Sequence, residues 1–514
     1  MGSVTIADKD FKELISKRSQ RLLGLVNYLS RRFESDNKTL PRPLLGALLS
    51  QSIQIEELLD AYDARNNCQW CSFRSLTAAI KLFSDVSYEL LHIQHALPAY
   101  RLLPIEQDFA KATGQALRFT GTVLLRASKG MLERAEQLGL PVPAKLADEE
   151  AYAERLPAGR LPHDCGTRSI ETVSESVIML ATAFLNLAAE SEQVHSAVGP
   201  KPEEYADYVS DSVSEEHLRN TELRFHNLQS MYDTYVSGTE AEVLDEDLPV
   251  LRGHISVVFH LLRTATCFAH YYERHVQKPI CDLRAHQGPL VSREELLEIL
   301  VNYSIVFAGH YIGCATRLCQ TMLRRDAEVG RIEVSVPQYR GFHVRPATLI
   351  SKLVLHYGSE VRMELDDETY DAGSPLELFR ANEKINARKR QWLAEEISQL
   401  DLVSQEADEK EINSVIRNVV LTLAEQSELI LYEQPLQLPD EPAQREGTLL
   451  ERVIDETARL LAIGKIDINT DLNATFVGDK RVLADIKLLA ESGYGEDNFG
   501  NNVALPKELA YLRR

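Results

Sequence analysis

Between Arg331 and His356 the hydrophobic period of the chain switches from that of a strand to that of a helix. Arg331-Ile332-Glu333-Val334-Ser335-Val336-Pro337 alternates apolar and polar side chains and predicts a half-buried strand. Ala347 to His356 carries its apolar residues at helical spacing, with Pro346 near the first helical position. A strand must therefore pass into a helix through the few residues around Gly341, which confines this part of the chain to an α+β arrangement. His343 falls where the first free backbone N–H groups of that helix point outward, and Arg345 adds a planar, permanently charged neighbour. A neutral imidazole nitrogen at such a place can attack phosphorus, with hydrogen-bond donors waiting for the new phosphoryl oxygens.

The run Gly341-Phe342-His343-Val344-Arg345-Pro346-Ala347-Thr348 resembles the phosphorylation loop of HPr, the phosphocarrier family of the bacterial sugar phosphotransferase system. That family's signature is glycine, an apolar residue, the phosphorylated histidine, a small residue, arginine, proline and a small residue. The likeness continues through a strand, Val361 to Leu365, the turn Asp366-Asp367-Glu368, and a short strand, Thr369 to Ala372. Gly373-Ser374-Pro375 then opens a second helix at Leu376-Glu377-Leu378-Phe379. The resemblance implies His343 as phosphoacceptor and Arg345 as phosphate stabiliser. It implies an enzyme I-like phosphoryl donor, docking on Phe342, Leu376, Leu378 and Phe379. Ser374 falls at the spacing of the regulatory serine of Gram-positive HPr, while its residue type and the following Pro375 equally suit a structural N-cap. Val344 and Phe342 depart from the usual small and aliphatic residues, and Pro375 and Glu377 are unusual beside Ser374.

HPr next needs a fourth strand and a third helix. Residues 384–427 instead read as helix, polar loop and helix, and only then does Glu428-Leu429-Ile430-Leu431-Tyr432-Glu433 predict a strand, followed by an amphipathic helix from Thr448 to Leu461. Taken as the missing pair, these give an HPr-like domain over 329–464, an open-faced β-sandwich of antiparallel sheet covered by helices, with a helical insertion at 384–427. Residues 465–514 form a C-terminal extension, predicted to be a strand, a short helix, and a Gly- and Asn-rich strap anchored by Tyr494, Phe499, Leu505, Leu509, Tyr511 and Leu512.

Ahead of this domain the chain reads as almost wholly helical, one bundle over 8–145 and a second over 168–325, joined by a stretch marked by Pro141, Pro143, Pro157 and Pro162. The expected class is thus a multidomain α plus α+β protein. In the second bundle His260, Arg263, Cys267, His270 and Arg274 share a helix face, with Glu222, His226 and His310 able to approach from neighbours. The glutamate–histidine spacing of di-iron bundles is missing, so satisfied helix contacts are the simpler account and no metal or other cofactor is expected. Cys68-Gln69-Trp70-Cys71 and His163-Asp164-Cys165 likewise lack the further partners that redox, metal or triad chemistry requires.

A net charge of −21 argues against nucleic-acid and anionic-membrane binding. The HPr-like core is nearly neutral, with ten Lys/Arg against nine Asp/Glu over 329–390, so Arg340, Arg345, Arg380 and Arg388-Lys389-Arg390 are available as a basic rim for an acidic donor. No run of eighteen apolar residues and no secretory leader are evident, and seven cysteines suggest free thiols, which together predict a cytoplasmic location. The function expected is phosphate-dependent regulation through His343 with an unknown regulatory target protein, rather than bulk sugar uptake, because a shuttling carrier benefits from being small. The alternative is a non-phosphorylated scaffold or adaptor on the same fold, whose helical domains bind ligands or partners.

Overall fold

The computed structural model describes residues 5–33, 39–146, 149–153, 161, 173–195, 200–277, 289–400, 412–432, 436, 438, 447–468 and 472–512. The chain divides into two compact units, Met1–Cys319 and Gln320–Arg514. It is mainly helical, and among the described residues the strands, in one four-stranded and one two-stranded antiparallel sheet, all fall in the second unit.

The long helices of the first unit are α1 (Asp8–Arg18), α2 (Gln20–Arg32), α3 (Arg42–Ala61), α4 (Cys71–Ala96), α5 (Phe109–Gln137), α6 (Val173–Glu190), α7 (Glu215–Tyr235), α8 (Asp247–Tyr271) and α9 (Val306–Arg325), the last running across the division. Asp108 and Ser214 cap α5 and α7 by accepting from Lys111 N–H and His217 N–H, which satisfies donors the helices cannot. The two helical sets expected from sequence are not separate bundles. α8 buries residues around most of its circumference and packs on α4 of the first set as well as on α7 of its own. A helix buried on most of its sides has to be covered from several directions, and the earlier helices supply part of that cover. At Gly253 the approach is so close that a Cβ would lie 1.7 Å from the Tyr100 carbonyl oxygen. The next residue, His254, accepts from Leu103 N–H at 3.3 Å.

Two described helices are long and apolar enough to cross a membrane, Val173–Glu190 and Arg293–Arg325, the latter with 67% of its apolar window buried inside the protein. The expectation of free thiols throughout needs correcting at Cys71, which is disulfide-bonded, while Cys68 remains a free exposed thiol. Local spacing carries no sign of that bond. His163-Asp164-Cys165 lies outside the described residues.

In the second unit the order is β1 (Val329–Ser335), α10 (Val344–Tyr357), β2 (Val361–Leu365), β3 (Glu368–Asp371), α11 (Pro375–Gln399), α12 (Ile412–Glu425), β4 (Leu429–Leu431), α13 (Leu449–Ala462), β5 (Ile466–Ile468), β6 (Asn473–Asp479) and α14 (Lys480–Glu491). The main sheet has the order β1-β6-β2-β3, antiparallel throughout. The strand predicted at 428–433 is therefore not the sheet's fourth strand. Its ordered part, β4, pairs with β5 in a separate two-stranded ribbon, and the fourth place belongs to β6.

Two physical features select β6. Ala474 and Phe476 point into the core on alternate positions, and Gly478 lets Val361 and the Glu360 carbonyl oxygen approach to where a Cβ would sit. The third helix is accordingly α14, not the helix at 448–461. The four-stranded fold extends from 329 to 491, and its interruption lengthens from 384–427 to everything between the first half of α11 and β6. The inserted residues own a core, in which Leu393 and Ile397 of α11 meet Ile416 and Val420 of α12, Leu460 of α13 and Ile468 of β5. One 25-residue helix, α11, thus serves both the sheet and the inserted lobe.

At the far end of α10, His356 stacks on Tyr511 at 4.2 Å, and both Tyr511 and Tyr357 donate to Asp485. Burial pushes the His356 imidazole down to about 4 from its ordinary 6.5. The unfolded chain then binds the proton more readily, so this residue's contribution to stability is complete above pH 6.5 and is lost as pH falls toward 4. Between pH 7 and 5 the loss is about 2 kcal/mol. Urea midpoints followed by Trp392 fluorescence in a Trp70→Phe background should show a shallower acid decline for His356→Phe; an unchanged decline would contradict the buried neutral imidazole.

Candidate functional site

The turn between β1 and α10 is held in an unusual backbone conformation. Arg340 and Gly341 both have positive φ, 56° and 63°, costly for arginine and natural for glycine. Three contacts fix it. Asn382 of α11 donates to the Arg340 carbonyl oxygen at 3.1 Å, Asp467 of β5 accepts from Arg340 N–H at 3.0 Å, and Gly341 N–H reaches the Pro337 carbonyl oxygen at 3.2 Å. A Cβ at Gly341 would stand 2.2 Å from Asn382 Oδ1, so a larger residue would have to push that amide aside as well as hold the positive φ. Asp467 is itself held by Lys389, Nζ to Oδ1 at 2.6 Å, with both side chains only 3% exposed. The inserted lobe therefore shapes the turn that presents His343.

His343 is the N-cap residue of α10, in extended backbone conformation, and its carbonyl oxygen accepts from Ala347 N–H. Val344 and Arg345 follow in the first turn, where backbone N–H groups lack intrahelical acceptors. The imidazole is flanked on both sides by oxygen: Nδ1 lies 3.1 Å from the Gly341 carbonyl and Nε2 lies 3.2 Å from Glu496 Oε2. Tyr339 packs edge-on against the ring at 5.4 Å. Arg345 Nε lies 3.9 Å from the other Glu496 oxygen, and its Nη1 donates to Asn502. The His343 side chain is 20% exposed and the Glu496 side chain 9%. Glu496 thus reaches both His343 and Arg345, and the C-terminal strap lies over both.

The expected docking residues divide. Phe342 is fully buried, edge-on to Phe476 and Tyr494, and Leu378 is fully buried on the inner side of α11, so neither is available to a partner. An apolar residue before His343 is required by the core, not by docking. Phe379 is half-buried, whereas Leu376 is 72% exposed and Val344 is 68% exposed. Ser374 acts as the N-cap of α11, accepting from Glu377 N–H. The expected basic rim is largely spent internally. Lys389 is buried on Asp467, Arg380 pairs with Glu377 at 2.7 Å, and Arg388 pairs with Asp366.

The polar face of α8 is also occupied. His260 Nδ1 contacts Glu89 at 2.7 Å, Arg263 bridges Asp85 and Glu89 at 3.1 and 3.2 Å, and Cys267 Sγ lies 3.8 Å from Asp85. His270 and Arg274 turn to Glu215 instead, and His226 packs on Phe259. Burial raises both Asp85 and Glu222 above the ordinary carboxylate range. The neutralising acids Asp85 and Glu89 come from α4, too far along the chain for spacing to reveal. Among the described residues no group of histidine, cysteine and carboxylate side chains could hold a metal ion.

Comparisons with protein-family models, with curated proteins and with solved structures give no match for this chain.

Proposed function

We propose that the chain is an HPr-like phosphoacceptor, phosphorylated on His343 and regulatory rather than a bulk carrier. The observation that carries this reading is the placement of His343 at the head of α10 beside Arg345, within an alternation of strand, helix, two strands, helix, strand and helix that the HPr resemblance calls for. A neutral imidazole nitrogen of His343 would form its bond to phosphorus as the donor's bond to that phosphorus breaks, the donor keeping the bonding electron pair. Arg345 and the first-turn N–H groups would then hold the phosphoryl oxygens. The donor is an enzyme I-like protein, met at the exposed Leu376 and Val344, and the setting is the cytoplasm.

Incubation with enzyme I and radiolabelled phosphoenolpyruvate should give acid-labile, base-stable label that disappears in His343→Ala. Folded protein that takes no label at His343, with the strap contact intact or removed, would exclude the phosphoacceptor. One observation favours the alternative of a scaffold that keeps the fold without the chemistry: Glu496 and Asn502 already occupy the groups a phosphoryl would need.

A further inference from the structure

The strap that covers His343 is built as a hairpin with buried roots and a tip that rests on two rings, Gly500 against Tyr339 and Phe499 edge-on to Tyr432. Tyr494 is buried and donates to the Ser335 carbonyl oxygen at 2.7 Å, while Leu505, Leu509 and Leu512 are buried on the far side. Between these roots the chain makes its own bonds. Glu496 bridges Asn502, Val503 N–H reaches the Gly495 carbonyl oxygen, and the Asp497 carboxylate accepts from Phe499 N–H, Asn501 N–H and Asn501 Nδ2. Gly493 and Gly495, both at positive φ, flank Tyr494. The tip can therefore leave without unmaking its internal structure, giving up its rests on Tyr339 and Tyr432 and its contacts with His343 and Arg345.

The tip presents to His343 and Arg345 the chemistry a phosphoryl group would present. The Glu496 carboxylate spans His343 Nε2 and Arg345 Nε, and Asn502 Oδ1 takes Arg345 Nη1. Both imidazole nitrogens face acceptors that carry no proton of their own, the Gly341 carbonyl and the Glu496 carboxylate. While the tip is closed, the Gly341 carbonyl stands against Nδ1 and the Glu496 carboxylate against Nε2, so neither ring nitrogen is open to an incoming phosphorus. A phosphorus atom on Nε2 would also occupy the position the Glu496 carboxylate holds.

We propose that residues 495–503 are a built-in inhibitor of His343, in which Glu496 imitates the phosphoryl group, and that phosphorylation requires the tip to leave and then keeps it away. The second half follows from charge. A phosphoryl group brings about −1.5 to −2 charge to a place where a nearly buried carboxylate now sits, so the closed tip and the phosphorylated ring exclude one another. The displaced tip, with its exposed Phe499 and Val503, is then the part of the molecule whose position reports the state of His343. This inference rests on the phosphoacceptor reading for its second half only.

The two halves are tested separately on the full chain. Diethyl pyrocarbonate attacks unprotonated imidazole without any partner protein, and its modification of His343 is followed by mass spectrometry. Glu496→Ala should raise the rate about tenfold, because it removes the carboxylate that stands against Nε2. Asn502→Ala, which loosens the tip without touching the ring, should raise it several-fold, so the proposal stays testable should either variant misfold. Rates equal to the parent in both variants overturn the inhibitor. Enzyme I and phosphoenolpyruvate then label the same set: faster labelling of Glu496→Ala supports both halves. Faster carbethoxylation with no label in any variant keeps the inhibitor, and overturns both the linkage to phosphorylation and the phosphoacceptor reading.

Discussion

Replacing Asp467 by alanine is expected to destabilise the second unit by roughly 3–5 kcal/mol, because it strands the Lys389 ammonium in the interior. The pair is 2.6 Å apart with both side chains 3% exposed, and the second Asp467 oxygen accepts from Arg340 N–H. The substitution thus orphans a buried charge and a backbone donor together. Lys389→Met removes the charge and leaves Asp467 its backbone partners, so it should cost less. The double variant Lys389→Met/Asp467→Ala should recover much of the single loss, since an apolar pair of similar volume often replaces a buried ion pair at little cost. Urea denaturation of the four proteins forms the cycle. A loss below about 1 kcal/mol for Asp467→Ala, the range of exposed pairs, would show that water reaches the pair. Because Asp467 also holds the turn before His343, the variant should alter His343 reactivity even where the protein remains folded.

Gly253→Ala should destabilise the first unit by about 3 kcal/mol or more, whereas helix propensity alone predicts a gain of about 1 kcal/mol. The sign is what makes this informative. Gly253 lies in the middle of α8, where alanine is the better helix former, yet its Cβ would stand 1.7 Å from the Tyr100 carbonyl oxygen. Backbone cannot retreat as a flexible side chain can, and the adjoining bond from Leu103 N–H to His254 holds the same segment in place. A thermal melt with an unchanged or raised midpoint would mean that the 100–105 segment is free to move off α8.

The site's centre was legible because it is local. A period change, a glycine, a histidine and a proline within eight residues specify a turn, a cap and a helix, and the structure adds only the positive φ at Arg340. Phe342 was misassigned to docking because an apolar residue at a loop looks the same whether it faces a partner or, as here, Phe476. The fourth strand was missed for a related reason. Leu429–Leu431 and Asn473–Asp479 both carry strand-like patterns, and the choice between them is made by long-range pairing, which no local window contains. β6 even looks the poorer candidate, since Asn473, Gly478 and Asp479 are weak strand formers. Its Gly478 is required by close approach to Val361. The strap was foreseen as anchored, but its contact with His343 joins residues more than a hundred positions apart.

The position of β6 also bears on how the molecule is made. It lies between β1 and β2, yet it leaves the ribosome roughly a hundred residues after β2. Until then β1 has no neighbour in the sheet, and β2 has only β3. Meanwhile α12, β4, α13 and β5 can gather around the second half of α11 with mostly local contacts, which form quickly. The nascent chain therefore carries open strand edges through an extended interval of synthesis, the condition under which chains pair wrongly with one another and chaperones are engaged. Truncation between Ile468 and Asn473 would leave a lobe able to collapse and a sheet lacking its middle strand.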